Sequence, residues 1–431
     1  MGRLADRHLG TKSPARVSAA NACDERLAAR LDLLLDRRAT AAERFYPAVA
    51  ERMARLCHRM AERFARGGRL IAFGLSPAAR SDVRHVAVEF VHPVIVGKRA
   101  LPALGLTREA GALPVQVELV AQPDDIAMAF GVGDGASDEE TRTALAAARE
   151  RGCLTVAFAR AGAEWEFEPP SDDPFVRQEL VETLYHVLWE LVHVFFDHRG
   201  LLEGRGQRTV HDAGGSSFLY PFLAEQEHDL ESVVQDVRRS ALMKAEEALA
   251  LRAQTVHGAR ETLAAAASML HDAFAAGRTL FAFGNGGSAT DAMDIVADFR
   301  DAREGWHRRR AVDLTEDAAI LTAIANDIGT DAIFTRQLIA YGMAGDVALA
   351  LSTSGNSRNI IQALGEARRR GMATIAFVGY DGGRVLAEGL ADHVIVSPSQ
   401  HIPRIQEAQA TAYHALRELV EEPVLGESAP A

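Results

Sequence analysis

The feature that most constrains the fold of this chain is an internal duplication. The segment at 68–74 (GRLIAFG) recurs at 277–284 (GRTLFAFG), about 210 residues later. The segment at 148–158 (ARERGCLTVAF) recurs at 367–377 (ARRRGMATIAF), 219 residues later. Self-similarity at a long spacing indicates two copies of one architecture. The growing offset places insertions in the second copy, in surface connections that tolerate them.

The two copies share one order of structural elements. Each begins with a long region, at 24–66 and at 223–276, that is rich in Ala, Leu, Glu and Arg and has apolar residues at helical spacing. Short apolar runs separated by helical stretches follow, at 70–73, 280–283, 347–351 and 374–378. Apolar strands that alternate with helices predict a parallel sheet covered on both faces. We therefore predict an α/β fold of two tandem domains, each a flavodoxin-like doubly wound parallel sheet with N-terminal packing helices.

The length of the chain supports this division. Its 431 residues, 48% of them apolar, suffice for two cores, whereas a single core seldom grows beyond about 250 residues. The glycine-rich stretch at 200–217 is typical of a linker. We predict one domain at 1–205 and a second at 206–431.

Charge and cysteine content narrow the possible partners and the compartment. The net charge of −12 argues against a nucleic-acid partner, because phosphate backbones are bound by clustered Lys and Arg. The sequence contains neither a secretory apolar region nor a membrane-length apolar run, so we expect no membrane contact. Cys23, Cys57 and Cys153 are too far apart for a CxxC motif, which favours a reducing, cytoplasmic location.

Two loops of the second half have the composition of an anion site. At 284–291 (GNGGSATD) a strand leads through clustered glycines to Ser288 and a helix. Such a turn lets the backbone approach a ligand and presents helix-start N–H groups, although it is also typical of a plain tight connection. At 352–357 (STSGNS) four hydroxyl residues follow another apolar run. They predict a phosphate cradle, and the alternative is a capped helix with a polar loop.

These loops, together with 326–327 (ND), 380–383 (YDGG), 404–407 (RIQE) and His414, resemble the phosphoheptose isomerases, a family of the SIS (sugar isomerase) fold. The resemblance covers about 280–420, and the first half shares it at only a few positions. It implies tetramers that convert sedoheptulose 7-phosphate to a heptose 7-phosphate, usually with zinc. The residues that it implies for binding the sugar phosphate are Asn285, Gly286, Gly287, Ser288, Asn326, Asp327, Ser352, Thr353, Ser354, Ser357 and Gln406.

The resemblance also implies a divalent metal, and the chain contains two candidate ligand sets, one in each half. The family places His and Glu four residues apart on one helix, and Gln and His eight apart on the last helix. The second half has Asp294, Asp298, Gln406 and His414 at these positions, and the first half has His85, Glu89, Gln178 and His186. The first half therefore keeps the whole ligand set, while its loops lack the glycine cluster and the hydroxyls. Two Asp in the second set favour a harder, more oxygen-rich site than zinc usually has.

From this resemblance we predict an isomerase that interconverts sedoheptulose 7-phosphate and D-glycero-D-heptose 7-phosphate through an enediol. The acid–base pair would be Asp298 with His414, or Glu89 with His186. The pattern leaves open whether one half works alone or both share a site. The alternative function is a non-catalytic SIS protein that senses a sugar phosphate or binds a partner protein. Because family members assemble four domains, we expect a homodimer that forms a pseudo-tetramer of SIS domains.

Overall fold

The computed structural model describes residues 14–94, 98–107, 111–132, 135, 138–197 and 229–421. The predicted linker at 200–217 and the domain boundary at 205/206 lie outside the described residues, so both stay predictions. The elements of the first half are α1 (Pro14–Ala65), β1 (Leu70–Phe73), α2 (Pro77–Val91), β2 (Ala103–Leu106), α3 (Leu113–Val120), β3 (Ile126–Ala129), α4 (Asp138–Glu150), β4 (Leu154–Ala157), β5 (Trp165–Glu166) and α5 (Pro174–Asp197).

The second half repeats this order with additional helices. Its elements are α6 (Leu230–Gly258), α7 (Arg260–Ala275), β6 (Leu280–Phe283), α8 (Gly287–Arg300), β7 (Ala311–Asp313), α9 (Ala318–Asp327), a 3-10 turn (Thr330–Ala332), α10 (Ile333–Tyr341), β8 (Val347–Ser352), α11 (Arg358–Arg369), β9 (Ala373–Gly379), α12 (Gly383–Ala387), β10 (His393–Ser397) and α13 (Ile402–Glu421).

Two five-stranded parallel sheets confirm the predicted fold class. Their strand orders are β2-β1-β3-β4-β5 and, from the corresponding edge, β7-β6-β8-β9-β10. Both are the flavodoxin-like order, in which the direction of winding changes between the first and third strands. Ligands of such sheets bind at the carboxyl ends of the two strands at this switch point. We therefore expect ligand sites at the loops after β1 and β3 in the first sheet, and after β6 and β8 in the second.

The predicted strands agree closely with the structure. The runs at 70–73 and 280–283 are β1 and β6, and both are wholly buried. The runs at 347–351 and 374–378 lie within β8 and β9, which extend one residue further at one or both ends. Wholly buried strands follow from helices on both faces of each sheet, because such strands need no polar side.

The long N-terminal helices differ more from their predictions. Helix α1 begins at Pro14, ahead of the predicted 24, and the region predicted as 223–276 divides into α6 and α7 at Ala259. Leu27 and Leu31 of α1 pack in the core of the second half, while Phe45 and Met53 of the same helix pack in the core of the first. One helix thus joins both cores, so neither half is packed independently of the other.

The centre of the molecule lies between the two sheets, where α2 packs on α8 and α13 packs on α5, α6 and α8. Helix α13 is buried from Pro403 to Val420 although it carries many polar side chains. Buried polar groups need partners, and several of these come from the other half, such as Glu179 for His414 and Glu190 for Arg404. None of the helices in the described part of the chain combines the length and apolar composition that crossing a lipid bilayer requires.

Candidate active site between the two halves

Four helices, α2, α5, α8 and α13, bring the predicted metal ligands into two clusters. The first, which we call the two-histidine centre, comprises His85, Glu89, His186 and Gln406. Nε2 of His186 lies 3.2 Å from Nε2 of His85 and 3.5 Å from Oε1 of Glu89. The side-chain amide of Gln406 lies 3.3 Å from Nε2 of His85. Three residues of the first half and one of the second thus face a common point.

The second cluster, which we call the two-aspartate centre, comprises Asp294, Asp298, His414 and Gln178. Nε2 of His414 lies 3.5 Å from Oδ2 of Asp294 and 3.6 Å from Oδ2 of Asp298. The amide of Gln178 donates to Oδ1 of Asp294 at 2.8 Å. This cluster mirrors the first, with three residues from the second half and one from the first.

The glutamines are therefore exchanged between the halves. The spacing of eight residues places Gln178 and His186 about 12 Å apart along a helix, and the structure sends them to different centres. Gln406 and His414 are separated in the same way. Neither half assembles the four family positions from its own residues, since each set includes one residue from the other half.

One histidine of each centre, His186 or His414, is oriented by a carboxylate of the opposite half. Nδ1 of His186 lies 2.8 Å from Oε1 of Glu407, and Nδ1 of His414 lies 2.9 Å from Oε1 of Glu179. Each bond crosses between the halves and turns the Nε2 atom towards its centre. A carboxylate behind the imidazole is the usual support of a histidine that binds a metal.

Arginines hold these carboxylates in turn. Arg38 donates to both oxygens of Glu179 at 2.9 and 3.0 Å, and Arg404 donates to Glu407 at 2.7 Å. With Arg38 and His414 next to it, Glu179 has a pKa below its usual value despite burial, which alone would raise it. Sequence reasoning gave neither carboxylate a role. The available signal was the Gln-Glu pair, which occurs at 178–179 and again at 406–407.

The two centres differ in electrostatics. Burial, and secondarily the neighbouring His186, holds the pKa of His85 well below its ordinary value. Burial raises the pKa of Glu89 to about 7. Burial alone would lower the pKa of His414, but the carboxylates of Asp294, Glu179 and Asp298 outweigh it and raise that pKa to about 9. His85 therefore favours neutral imidazole, whereas His414 favours imidazolium.

Both centres have the donor atoms of a metal site. In each, three ligand atoms lie within 4.8 Å of one another: His85, Glu89 and His186 in one, and Asp294, Asp298 and His414 in the other. Both carboxylate oxygens of Glu89 are buried without a hydrogen-bond partner. Such orphaned oxygens beside imidazole nitrogens fit a cation better than an ordinary hydrogen-bonded core.

Two more buried acids lie between the centres. Oδ1 of Asp291 is 3.9 Å from Nδ1 of His85, and His85, Glu182 and Asp291 form a third group of ligand atoms within 4.8 Å. Burial raises the pKa of both acids well above the ordinary value. They connect the two centres into one buried polar layer.

The glycine loop lies directly against the two-histidine centre. Gly286 has φ +58° and ψ −125°, a conformation that requires glycine, and α8 begins at the next residue. A Cβ on Gly287 would lie 2.0 Å from the amide nitrogen of Gln406 and 3.0 Å from Nε2 of His85. The start of α8, a natural anion site, is therefore within contact distance of the first half's ligands.

The hydroxyl loop follows the neighbouring strand, since β6 and β8 are paired. Ser357 is the N-cap residue of α11, and its side chain makes no capping hydrogen bond. Ser352 is buried and accepts from the amide of Gly355 at 3.1 Å. Both loops thus stand at the switch point of the second sheet.

Reciprocal amide hydrogen bonds join the two loops. Asn285 donates to Asn359 at 3.0 Å, and Asn359 donates back at 2.8 Å. Asn285 was predicted to bind substrate, and the structure gives its side chain this joining contact. Asn359 was not singled out from the sequence. Asn326 and Asp327, also predicted to bind substrate, are exposed at the end of α9 and are hydrogen-bonded to each other at 2.8 Å.

The corresponding edge of the first sheet bounds a cavity of about 470 Å³. Apolar residues of the loops after β1 and β3 line it, among them Leu75, Phe130 and Val132, and Gln178 and Asp298 of the two-aspartate centre reach it. Ser76, in the loop after β1, accepts from the amide of Ala79 as the cap of α2. Among the residues of these loops that the structure describes, there is no counterpart of the glycine turn and the hydroxyl loop.

Known proteins resemble both halves of the chain in fold, and the second half also in sequence. Residues 245–379 match the SIS domain family. The phosphoheptose isomerase of Geobacter sulfurreducens is 47% identical over 163 residues, which are 37% of this chain and 84% of the relative. Two solved structures cover both halves and show the fold alone. They are the C-terminal domain of glucosamine-fructose-6-phosphate aminotransferase from Francisella tularensis (TM-score 0.53, 9% identity, 87% of this chain and 92% of that one) and the tagatose-6-phosphate ketose/aldose isomerase of Escherichia coli (TM-score 0.52, 13% identity, 93% and 96%).

Proposed function

The chain belongs to the phosphoheptose isomerase family and is a sugar isomerase, and from this premise we propose that it interconverts sedoheptulose 7-phosphate and D-glycero-D-heptose 7-phosphate at one site built by both halves. The observation that carries this proposal is the closeness of Gly287 to Gln406 and His85, since a Cβ on Gly287 would lie 2.0 and 3.0 Å from their side-chain nitrogens. The start of α8 in the second half is therefore beside the two-histidine centre, most of whose ligands come from the first half.

The phosphate end of the substrate is proposed to bind the second half. The hydroxyls of Ser354 and Ser357 and the start of α11 offer donors to a dianion without a cationic side chain. The start of α8 lies between this loop and the two-histidine centre, so a sugar chain that leaves the phosphate along α8 brings its carbonyl end to His85 and Gln406. Thr353 and Ser288 stay members of the proposed binding set.

The two-histidine centre fits zinc. Two imidazoles and one carboxylate are a common ligand set of catalytic zinc sites, which keep one position open for water or substrate. His85, His186 and Glu89 would hold the metal, with Gln406 beside them. The chemistry that zinc supplies there is polarisation of the substrate carbonyl, which stabilises the negative charge of the enediolate.

The protein's own groups move the protons. A ketose becomes an aldose when the proton on C1 is removed, a proton is added at C2, and the hydroxyl proton on O1 passes to O2. Glu89 and His186 are the groups placed to do so, since their functional atoms lie 3.5 Å apart. Glu407 keeps the Nδ1 side of His186 occupied at 2.8 Å, so Nε2 is the atom that would either bind the metal or carry a proton, and it cannot do both at once.

A homodimer in the cytoplasm remains part of the proposal. Helix α9 is rich in Ala, Ile and Leu, yet it contains no buried residue, and Ile328 directly after it is 59% exposed. An apolar helix on the surface is typical of a face that packs against another subunit. Two chains would bring together four SIS sheets, and Asn326 and Asp327 would then lie at the subunit contact.

The test is turnover by a matched pair of variants. The purified full chain is incubated with sedoheptulose 7-phosphate and zinc, and aldose formation is followed. We expect turnover by the wild type, loss of turnover in His186→Ala, and much smaller loss in His414→Ala. Sugar-phosphate binding without turnover under any divalent metal would instead favour a non-catalytic sensor. Equal losses in the two variants would contradict the assignment of the site to the two-histidine centre.

A further inference from the structure

We propose that Arg252 is a positioning residue for both centres, because it fixes the two Gln-Glu pairs that each centre takes from the opposite half. Arg252 lies on α6 and is 2% exposed. Its guanidinium donates to the backbone oxygen of Glu179 at 2.9 Å and to that of Glu407 at 3.3 Å. These two residues are equivalent in the duplicated chain, 228 residues apart. The inference rests on the isomerase site proposed above.

The two bonded carbonyls belong to the segments that cross between the halves. The pair at 178–179 reaches the two-aspartate centre through its amide and its carboxylate. The pair at 406–407 reaches the two-histidine centre with the same two groups. Both groups of a pair move with the backbone that carries them. A shift of α5 or α13 would therefore displace an amide and an orienting carboxylate together, and small displacements of this kind are costly in an active site.

The acceptors of Arg252 set it apart from two other buried arginines of this polar layer. Arg38 and Arg404 each form an ion pair with a buried glutamate. Arg252 donates instead to the two carbonyls and, at 2.8 Å, to the hydroxyl of Thr183. An ion pair fixes side chains, whereas a bond to a carbonyl fixes the helix backbone itself. A buried guanidinium also keeps its hydrogen bonds firmly, since a buried charge without them is costly.

The shape of the guanidinium allows one side chain to hold two helices. Nη2 of Arg252 faces α5, where it bonds both Glu179 and Thr183, and Nε faces α13, where it bonds Glu407. The group is planar and rigid, so the separation of these two nitrogens is fixed. A lysine has a single nitrogen on a flexible stem and cannot keep both helices at a fixed distance. The fork is therefore needed as well as the charge.

Zinc affinity and turnover of Arg252 variants of the full chain test this inference. Arg252→Met removes the guanidinium and keeps an unbranched side chain. Competition with a chromophoric chelator should show zinc binding weakened by about 10- to 100-fold, the usual cost of losing an outer partner of a metal ligand. With zinc present, kcat should fall while KM for sedoheptulose 7-phosphate stays near the wild-type value, since Arg252 bonds α5 and α13. Arg252→Lys should recover only part of both losses.

A core substitution on the same helix separates positioning from packing. Val256 lies one turn from Arg252 and is 1% exposed in the core of the second half. Val256→Ala should lower the Tm but leave zinc affinity and kcat near the wild-type values. Wild-type zinc affinity and kcat in Arg252→Met would overturn the inference. Equal losses in Arg252→Met and Val256→Ala would do so as well.

A double variant tests the route through Glu407. In the Glu407→Gln chain, adding Arg252→Met should weaken zinc binding by a smaller factor than in the wild type, because the carboxylate that Arg252 positions is already absent. Two factors that multiply in full would contradict this route. A wild type that binds zinc but does not convert sedoheptulose 7-phosphate would refute the proposed function, while the zinc affinities would still decide the role of Arg252.

Discussion

The two-histidine and two-aspartate centres occupy equivalent positions in a duplicated fold, yet their surroundings have diverged in opposite directions. In the two-histidine centre burial favours the neutral form of His85, and this centre lies against the glycine turn of the second half. The two-aspartate centre favours the imidazolium form of His414 and faces a cavity lined by both apolar and charged residues. The proposed site combines three ligands of the first copy with Gln406 and the anion loops of the second copy.

The two centres have diverged in residue type, but they depend on each other structurally. Each centre includes one glutamine from the opposite half, and α1 packs in both cores. Helices α5 and α13 each contribute to both centres, whereas α2 contributes members only to the two-histidine centre and α8 only to the two-aspartate centre. A substitution in one copy is therefore expected to affect the structure of both centres. Pairs of substitutions at equivalent positions test how the two centres differ.

The largest expected difference is between Glu89→Gln and Asp298→Asn. Removing the carboxylate of the two-histidine centre should lower kcat for sedoheptulose 7-phosphate by about 1000-fold, since a positioned acid–base group contributes about 100- to 10,000-fold. The equivalent change in the two-aspartate centre should lower kcat by less than about tenfold on the same scale. Steady-state kinetics with zinc present measures both, and a reversed order would move the active site to the second centre.

A methyl group at Gly287 should give the next largest effect. The Cβ would lie 2.0 Å from the amide nitrogen of Gln406, so Gly287→Ala should displace Gln406 and His85 and lower kcat/KM by about 100-fold. Gly365→Ala is the matched control, because no atom lies within 4 Å of its Cβ. If both variants keep wild-type kcat/KM, the glycine turn is not part of the site.

A smaller effect is expected from the carboxylates behind the histidines. Glu407→Gln should weaken zinc binding by about 10- to 100-fold, because the imidazole of His186 loses its orienting partner. Glu179→Gln should leave zinc affinity closer to the wild type, because Glu179 supports His414 of the other centre. Competition with a chromophoric chelator measures the zinc affinities. Equal zinc affinity in the two variants would show that the carboxylates do not distinguish the centres.

The smallest expected effect is on stability and depends on pH. Glu190 and Glu418 are equivalent positions, 228 residues apart. Although burial alone would raise it, Lys244 and Arg404 hold the pKa of Glu190 below its usual value. Burial, by contrast, raises the pKa of Glu418 despite Arg38.

The sign of each contribution follows from these shifts. A lowered folded-state pKa stabilises the protein above the unfolded value of 4.5, and the stabilisation is lost as the pH falls towards the folded value. Glu190→Gln should therefore flatten the acid side of a plot of unfolding free energy against pH. For Glu418 the sign is opposite, because its raised pKa favours the protonated form and stability falls as pH rises through that pKa. Urea unfolding of Glu190→Gln and Glu418→Gln at a series of pH values checks both signs. Identical plots of unfolding free energy against pH for the two variants would contradict the expected difference.

The sequence by itself determined the fold class and four of the strands, β1, β6, β8 and β9. Buried parallel strands and glycine turns leave local patterns, so segments such as 70–73 and 280–283 were recognised without tertiary contacts, and the repeat showed two copies. The loops at 284–291 and 352–357 were singled out for the same reason. The ends of α1 and the break at Ala259 were not, because long helices owe their limits to packing on other elements.

Only the tertiary structure decided which residues meet. Gln406 reaches His85 across 321 residues of sequence, and Gln178 reaches Asp294 across 116. The supporting carboxylates Glu179 and Glu407 act on histidines of the opposite half. The physical reason is that a helical pattern specifies the face on which a side chain lies, whereas the packing of α2 on α8 and of α5 on α13 specifies what that face touches.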